Sequence, residues 1–386
     1  MGKRTIFIQD PNQEVMRIRE TLPTNECCYK RHFSMLFVLV VLSLNAMMLH
    51  GKSDSLHVAG SKAVARYFEK VDTLITVKLN VSNEFELFKQ EGDHFVYDIR
   101  PNIRLRNKLN FSYRYISFGI GFTPKFIPGN NDNAEQGKTK AFAFGLAINT
   151  SHLIQELSVG RVEGFYLHNS GDFVAGWEKG KDPYLQLPDL RMASIKGTTF
   201  YKFNSNFSWK AITSQTEIQV KSCGSFIPSV SYSYYEIDNQ SKAVSQQSSQ
   251  KSNNFEGLIN AGYYYSFVMN SKIYLSAGIN PGIGCNHTNL TSRHPEGNQH
   301  ASYTDLILRS QEKIGVGYNS KKLLAGAEFS ITHSYRDMNQ TSVKLEAKRV
   351  YFQVFVGYRF LAPRLVKNET EVIKQTVPSK FRNFIK

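Results

Sequence analysis

The chain is short of the residues around which most soluble enzymes and metal proteins are built. Of 386 residues, four are cysteine and two are tryptophan. Cys27 and Cys28 fall in the leader, which leaves Cys223 and Cys285 far apart in sequence. An oxidising compartment would let those two pair, but spacing alone does not decide it. No CxxC or Cys/His set has zinc spacing, so neither a metal nor another cofactor is expected. The glycine pairs Gly119/Gly121 and Gly282/Gly284 sit in strand-like stretches rather than strand-to-helix turns, so they do not suggest a nucleotide. After Leu49 no apolar run reaches the ~20 residues of a spanning helix. Acid is short of base, with 32 Asp and Glu against 47 Lys and Arg for a net charge of +15. The cations are interleaved with apolar residues along many segments, which speaks against nucleic acid and for anionic lipid head groups or an anionic solute.

Lys30 and Arg31 precede a run from Phe33 to Leu49 that is apolar except for Ser34, Ser43, Asn45 and the small Ala46. A basic start and an apolar core of this size are the marks of a cleaved secretory signal peptide. The alternative, a membrane helix, is disfavoured because the run ends in polar His50-Gly51-Lys52-Ser53. Residues 1–51 are therefore expected to be a leader and 52–72 a periplasmic N-terminal segment. An exported chain with no later spanning helix can enter a membrane only as a closed sheet, because lipid offers open strand edges no partner.

The clearest sign of such a sheet runs from Tyr97 to Arg114. Odd positions (Tyr97, Ile99, Pro101, Ile103, Leu105, Asn107, Leu109, Phe111, Tyr113) are apolar with one exception. Even positions (Asp98, Arg100, Asn102, Arg104, Arg106, Lys108, Asn110, Ser112, Arg114) are polar and mostly cationic. A period of two puts the sets on opposite faces of a strand about 60 Å long, as suits a wall between lipid and a wet lumen. Similar alternation recurs at 116–122, 141–148, 273–280, 323–332 and 352–360. Tight turns are expected near 114–115, 150–152, 205–206, 270–271 and 319–321, and long polar connections at 123–139, 167–189, 237–253, 286–301 and 334–345. Short turns on one side and long loops on the other match bacterial outer-membrane barrels.

The expected fold is thus all-β: an antiparallel transmembrane β-barrel of about twelve strands over 73–360, both termini periplasmic, followed by a basic tail at 361–386. The strands read 73–89, 95–114, 116–123, 139–150, 153–166, 190–204, 207–236, 254–269, 272–285, 302–318, 321–333 and 346–360. Residues 207–236 are too long for one straight pass. Lys221-Ser222-Cys223-Gly224-Ser225 interrupts them as a bulge, a lumenal excursion or a hairpin; a hairpin would break the parity and move 73–89 off the wall. Aromatics beside the short turns (Phe111, Tyr113, Tyr115; Tyr201, Phe203, Phe207, Trp209; Tyr264, Tyr265, Phe267, Tyr274; Tyr358, Phe360) read as an interfacial girdle.

The ending Val356-Gly357-Tyr358-Arg359-Phe360 resembles the terminal signal by which such barrels are recognised for assembly. Longer segments stand out as well: YFEKVDTLITVKL from Tyr67, YDIRPNIRLRNKLNFSYRYISFGIGF from Tyr97, GKTKAFAFGLAI from Gly137, residues 187–204, QVKSCGSF from Gln219 and GYNSKKLLAGAEFS from Gly317. Together they resemble a family of Bacteroidetes-type outer-membrane proteins known only as a domain of unknown function (family 4421). The resemblance implies an outer-membrane barrel, with outer-membrane lipids and the barrel-assembly machinery as partners, and brings no catalytic residues.

Three functions follow as expectations. A cationic lumen wall of Lys78, Arg100, Arg104, Arg106, Lys108, Arg114 and Arg359, with Glu156, Glu256 and Glu328 as counter-charges, would pass or bind a small anionic solute. The same charges would otherwise fill a closed interior as ion pairs, since buried charges must be paired. A closed barrel would work through its long loops, of which 167–189 carries Trp177 and Tyr184. A lipid-modifying enzyme is the remaining class: His152, His168, His287, His294, His300 and His333 are available, but none sits in a recognisable nucleophile motif. The chain is therefore read as non-enzymatic, with its oligomeric state open.

Overall fold

The computed structural model describes residues 66–83, 88–91, 96–242, 248–337, 344–364, 366 and 367. The leader with its apolar core at 33–49, most of the 52–72 segment and the tail past 367 lie outside the described residues. No helix among the described residues is long and apolar enough to cross a membrane.

Wall strands follow one another in chain order: β2 (Leu74–Ser82), β5 (Arg106–Tyr113), β6 (Ile116–Phe122), β7 (Lys140–Asn149), β8 (Leu153–Leu167), β9 (Leu185–Tyr201), β11 (Cys223–Asn239), β12 (Ser249–Met269), β13 (Ile273–His294), β14 (Gly297–Asn319), β15 (Leu323–Asp337) and β16 (Lys344–Leu361). The sheet holds fourteen strands; setting aside the hairpin β3 (Phe88–Glu91)–β4 (Val96–Arg100) leaves twelve in the wall. Antiparallel pairing of β16 with β2, Val356 opposite Leu79, closes the ring. β1 (Phe68–Lys70) and β10 (Glu217–Gln219) form a separate two-stranded sheet.

Alternation sorts the side chains as a barrel requires. On β16, Phe352, Val354, Val356, Tyr358 and Phe360 are exposed outward, while Arg359 on the opposite face is 2% exposed. β2 turns Thr76, Lys78, Asn80 and Ser82 inward, all buried. One end of the barrel has short turns. At Asn270 and Ser271 the backbone has φ of 51° and 54°, two successive left-handed residues in the three-residue turn that joins Met269 to Ile273. In β8, Gly164 (φ 85°) forms a bulge where the register to β9 slips, and a Cβ there would lie 2.1 Å from the Lys138 carbonyl oxygen.

The long strand expected at 95–114 is two pieces. Pro101 has no N–H for a ladder, and side-chain amides capture its neighbours. Asn102 Nδ2 donates to Gly137 O at 2.6 Å and Asn130 Nδ2 to Leu105 O at 2.8 Å, while Asn130 Oδ1 accepts from the Arg104 and Leu105 amides at 2.8 and 3.0 Å. The chain therefore joins the wall only at Arg106. β4 pairs instead with the outer end of β8, Ile99 opposite Leu167, beyond the reach of β7. At the long-loop end, residues 286–294 and 297–301, expected within a loop, continue β13 and β14 as one hairpin. The excess length at 207–236 is a lumenal excursion, not a wall hairpin: β11 begins at Cys223 and the parity holds.

Candidate functional site: the plugged lumen

Between β9 and β11 the chain leaves the wall at Lys202 and returns at Ser222. Inside this excursion Ser208 caps the short helix α1 (Trp209–Ile212), its Oγ accepting from the Ala211 amide at 3.0 Å and donating to Glu217 Oε2 at 2.5 Å. Gln219 stitches the loop, accepting from the Ser208 amide at 2.7 Å and donating to Asn206 O and Lys221 O at 2.9 and 3.0 Å. A segment with its backbone groups satisfied this fully can be buried without the penalty of orphaned donors.

It is buried in the barrel. Phe207, Trp209 and Ile212 pack in one core with Ile154 of β8, Phe200 of β9, Cys223 and Ile227 of β11, Tyr264 of β12 and Tyr274 of β13. Trp209 stands edge-on to Tyr264, ring centroids 4.9 Å apart. The remaining sides are held by polar anchors. Lys78 Nζ donates to Thr213 O at 2.6 Å and to Gln215 Oε1 at 2.7 Å. The Arg359 guanidinium donates to Gln215 O, to Ser320 O and to Asn319 Oδ1. Asn319 Nδ2 donates to Glu217 O at 3.0 Å and Ala211 O at 3.3 Å. The segment is thus a plug at the short-turn end, tied to β2, β14 and β16 by hydrogen bonds and to β8 through β13 by packing.

Below the plug a cavity of about 60 Å³ is lined by Lys70, Lys202, Lys210, Glu217, Trp209 and Ser151, among others. Lys202 Nζ donates to Phe207 O at 2.5 Å, and Lys210 lies 3.4 Å from Glu217. Burial holds the Lys202 amine down to about 8, with Glu217 opposing the shift.

Of the residues singled out in the sequence, Lys78 and Arg359 do lie on neighbouring strands, and both anchor the plug. Lys108 points inward above Gly145, whose missing Cβ would lie 3.2 Å from its Nζ. Arg106 opens β5 opposite Ser82. Three expected lumen cations lie off the wall. Arg100 is in the β3–β4 hairpin, its Nε donating to Asp98 at 2.8 Å. Arg104 lies in the broken segment, and Arg114 is in the β5–β6 turn with its guanidinium 5.2 Å from the Tyr113 ring centre. Glu256 receives a two-pronged contact from Arg309 at 2.7 and 2.9 Å, with Arg336 at 3.9 Å, and Glu328 lies 2.8 Å from Lys313. Glu156 is on β8 opposite Thr198. The sequence pattern does not mark Gln215, Asn319, Arg309 or Lys313, and it marks Trp209 only as a girdle aromatic; the surplus length at 207–236 is the one hint of the excursion that holds Trp209 and Gln215.

The aromatic girdle is partly as expected: Phe203, Phe267, Tyr358 and Phe360 are exposed, whereas Tyr113, Tyr115, Phe207, Trp209, Tyr264 and Tyr274 are buried. Cys223 is buried in the plug core and Cys285 is exposed on the outer wall, so the two are free and cannot pair. At the long-loop end, Trp177 and Tyr166 lie 5.0 Å from Tyr184 and His168 stacks on it at 5.9 Å. Burial, helped by Arg100, pushes the His168 imidazole below its ordinary value.

The profile of the domain of unknown function DUF4421 matches residues 53–360. The chain belongs to that family. DUF4421 carries no assigned activity in its description, and no curated protein matches the chain. Among solved structures, the outer-membrane protease OmpT from Escherichia coli is 6% identical at a TM-score of 0.36, over 76% of this chain and 98% of that one. The Vibrio cholerae outer-membrane protein OmpT is 10% identical at 0.27, over 74% and 96%. The ferric yersiniabactin uptake receptor FyuA from Yersinia pestis is 11% identical at 0.27, the match covering 74% of this chain and 44% of the receptor. Likenesses of this size carry no argument. The fold rests on the chain's own pairing: a closed twelve-strand antiparallel β-barrel of the outer-membrane type, with an apolar outward band.

Proposed function

We propose that this DUF4421 barrel sits in the bacterial outer membrane with its short-turn end toward the periplasm, is closed there by residues 202–222, and works by recognition at its long-loop end. The observation that carries this reading is the employment of the lumen charges. Lys78 and Arg359 are spent on the plug, while Arg309 and Lys313 are matched by Glu256 and Glu328. With these four engaged, an anionic solute would meet chiefly Lys108 and Arg106, which weighs against the anion-passage reading. The hairpin β13–β14 and the exposed loop around Trp177, seated on buried Tyr184 against which half-buried His168 stacks, supply the recognition surface, where exposed charges beside a half-exposed indole suit a glycan or protein epitope. Nothing in the reading calls on catalysis.

Planar-bilayer recording of the purified full chain tests it. The expected result is no steady conductance; a steady ohmic current, selective for anions, would reinstate the channel. Limited proteolysis of intact cells should cut within 171–182, and cutting there only after lysis would reverse the orientation.

A further inference from the structure

The outer wall breaks its own rule in one place. From the long-loop side, the outward residues of β14 read Leu306, Leu308, Ser310, Glu312, Ile314, Val316 and Tyr318. A carboxylate and a hydroxyl thus sit inside an apolar band that continues past them in both directions. Glu312 is flanked across the ladders by Ile279 of β13 and Ile331 of β15, and Ser310 is directly opposite His333. Ser310 Oγ donates to Glu312 Oε1 at 2.5 Å, and His333 Nε2 lies 4.0 Å from Glu312 Oε2. That last distance is beyond a hydrogen bond, and the Glu312 and His333 side chains are 43% and 57% exposed.

In a barrel that spans a membrane this cluster faces hydrocarbon, where one hydroxyl leaves most of the Glu312 carboxylate's capacity unmet and an ionisable group marks a functional contact. Acyl chains cannot satisfy it. The cluster holds one acceptor, Glu312, and one imidazole donor, His333, side by side, so it is complementary to itself under a two-fold axis. A second copy related by rotation about the membrane normal brings its His333 to Glu312 and its Glu312 to His333, two identical contacts ringed by Ile279, Ile314 and Ile331. We infer that the outer face of β13–β15 is a homodimer interface in the membrane, pinned by reciprocal Glu312–His333 pairs between copies. The inference rests on the barrel spanning the membrane and is independent of the plug.

The test is cross-linking of the full chain reconstituted in phospholipid vesicles. With Cys285 changed to serine to remove the exposed thiol, Ile331→Cys should give an oxidant-dependent dimer, while Ile195→Cys on β9 should give none. Glu312→Leu or His333→Phe alone should lower the dimer yield at least tenfold, and Glu312→His combined with His333→Glu should restore it. Heat-modifiable migration on gels checks that each variant is folded, and removing a lipid-facing charge should not impair folding. Dimers that survive both single substitutions would overturn the inference, as would a cross-link-free Ile331→Cys barrel or capture of a different membrane protein at that cysteine. A chain that stays soluble without detergent would instead sink the membrane reading itself, and so is told apart.

Discussion

Lys78→Met is the sharpest perturbation of the plug. The amine makes two short bonds, 2.6 Å to Thr213 O and 2.7 Å to Gln215 Oε1, from a side chain that is 6% exposed. Methionine has nearly the same length and fills the same space, so packing changes little while both acceptors lose their donor. At about 1.5 kcal/mol for each such bond the plugged state loses about 3 kcal/mol, roughly a hundredfold rise in the detached population. The Arg359 and Asn319 contacts remain, so the expected phenotype is intermittent opening rather than a permanent hole. Single-channel recording should show brief conducting events at least tenfold more frequent than in the parent, and removal of residues 205–221 should give a steady open level. If the deletion variant folds, migrates as a heat-modifiable barrel and still passes no current, the plug is not what closes the lumen. If Lys78→Met conducts no more than the parent while the deletion variant conducts, the anchor argument fails and packing alone holds the segment.

Further expectations concern the same end of the barrel. Trp209→Ala removes the ring wedged between Phe200 and Tyr264, and should cost about 3–5 kcal/mol in urea unfolding followed by gel mobility. Lys202, held to about 8 in the fold against about 10.4 unfolded, binds fewer protons folded than unfolded between those values. Its burial therefore penalises the fold fully below pH 8, and the penalty is relieved as pH rises toward 10.4; Lys202→Met should flatten that rise in unfolding free energy. His168 is likewise depressed, so acidification through its unfolded value near 6.5 should loosen the Tyr166–Tyr184–Trp177 cluster. Faster protease cutting around 173–182 at pH 5 than at pH 7.5 would report it, and His168→Phe should remove the difference. Non-reducing gels should show no Cys223–Cys285 disulfide, with Cys285 labelled by maleimide in detergent and Cys223 protected.

The wall was legible in the sequence because the barrel's two faces meet different solvents. Phe352, Val354 and Val356 turn outward against Gln353 and Arg359 inward, with Phe355 the apolar exception on the inner face, and Asn270-Ser271 marks its own turn. What hid the break at 101–105 is that its cause lies elsewhere in the chain: Asn130, a loop residue, takes the bonds that a ladder would have taken. The plug was hidden for a different reason. Phe207, Trp209 and Ile212 are as apolar as a lipid-facing strand, because they too leave water, but into a protein core inside the cylinder. Alternation also says which face a cation is on and nothing about its partner. Lys78 as a pore lining and Lys78 as an anchor have the same sequence pattern.

That ambiguity resolves in the partners' chemistry. Lys78 and Arg359 donate to backbone carbonyls and amide oxygens (Thr213 O, Gln215 O, Ser320 O, Gln215 Oε1, Asn319 Oδ1) rather than to carboxylates. A cation held by a carboxylate can be released by acid, because protonation removes the partner's charge; a carbonyl or amide oxygen does not titrate, so acid does not take the acceptor away. Asn319 adds two more carbonyl contacts from a third strand, and the aromatic core fixes the far side. Such a plug does not yield one contact at a time: freeing Gln215 takes an acceptor from the buried Arg359 guanidinium and another from the Lys78 amine at once, which is costlier than losing either bond alone. The segment from 202 to 222 therefore stays in place or leaves as a unit, drawing on β1 through its pairing with β10, which joins the chain ahead of the barrel to the closure of its lumen.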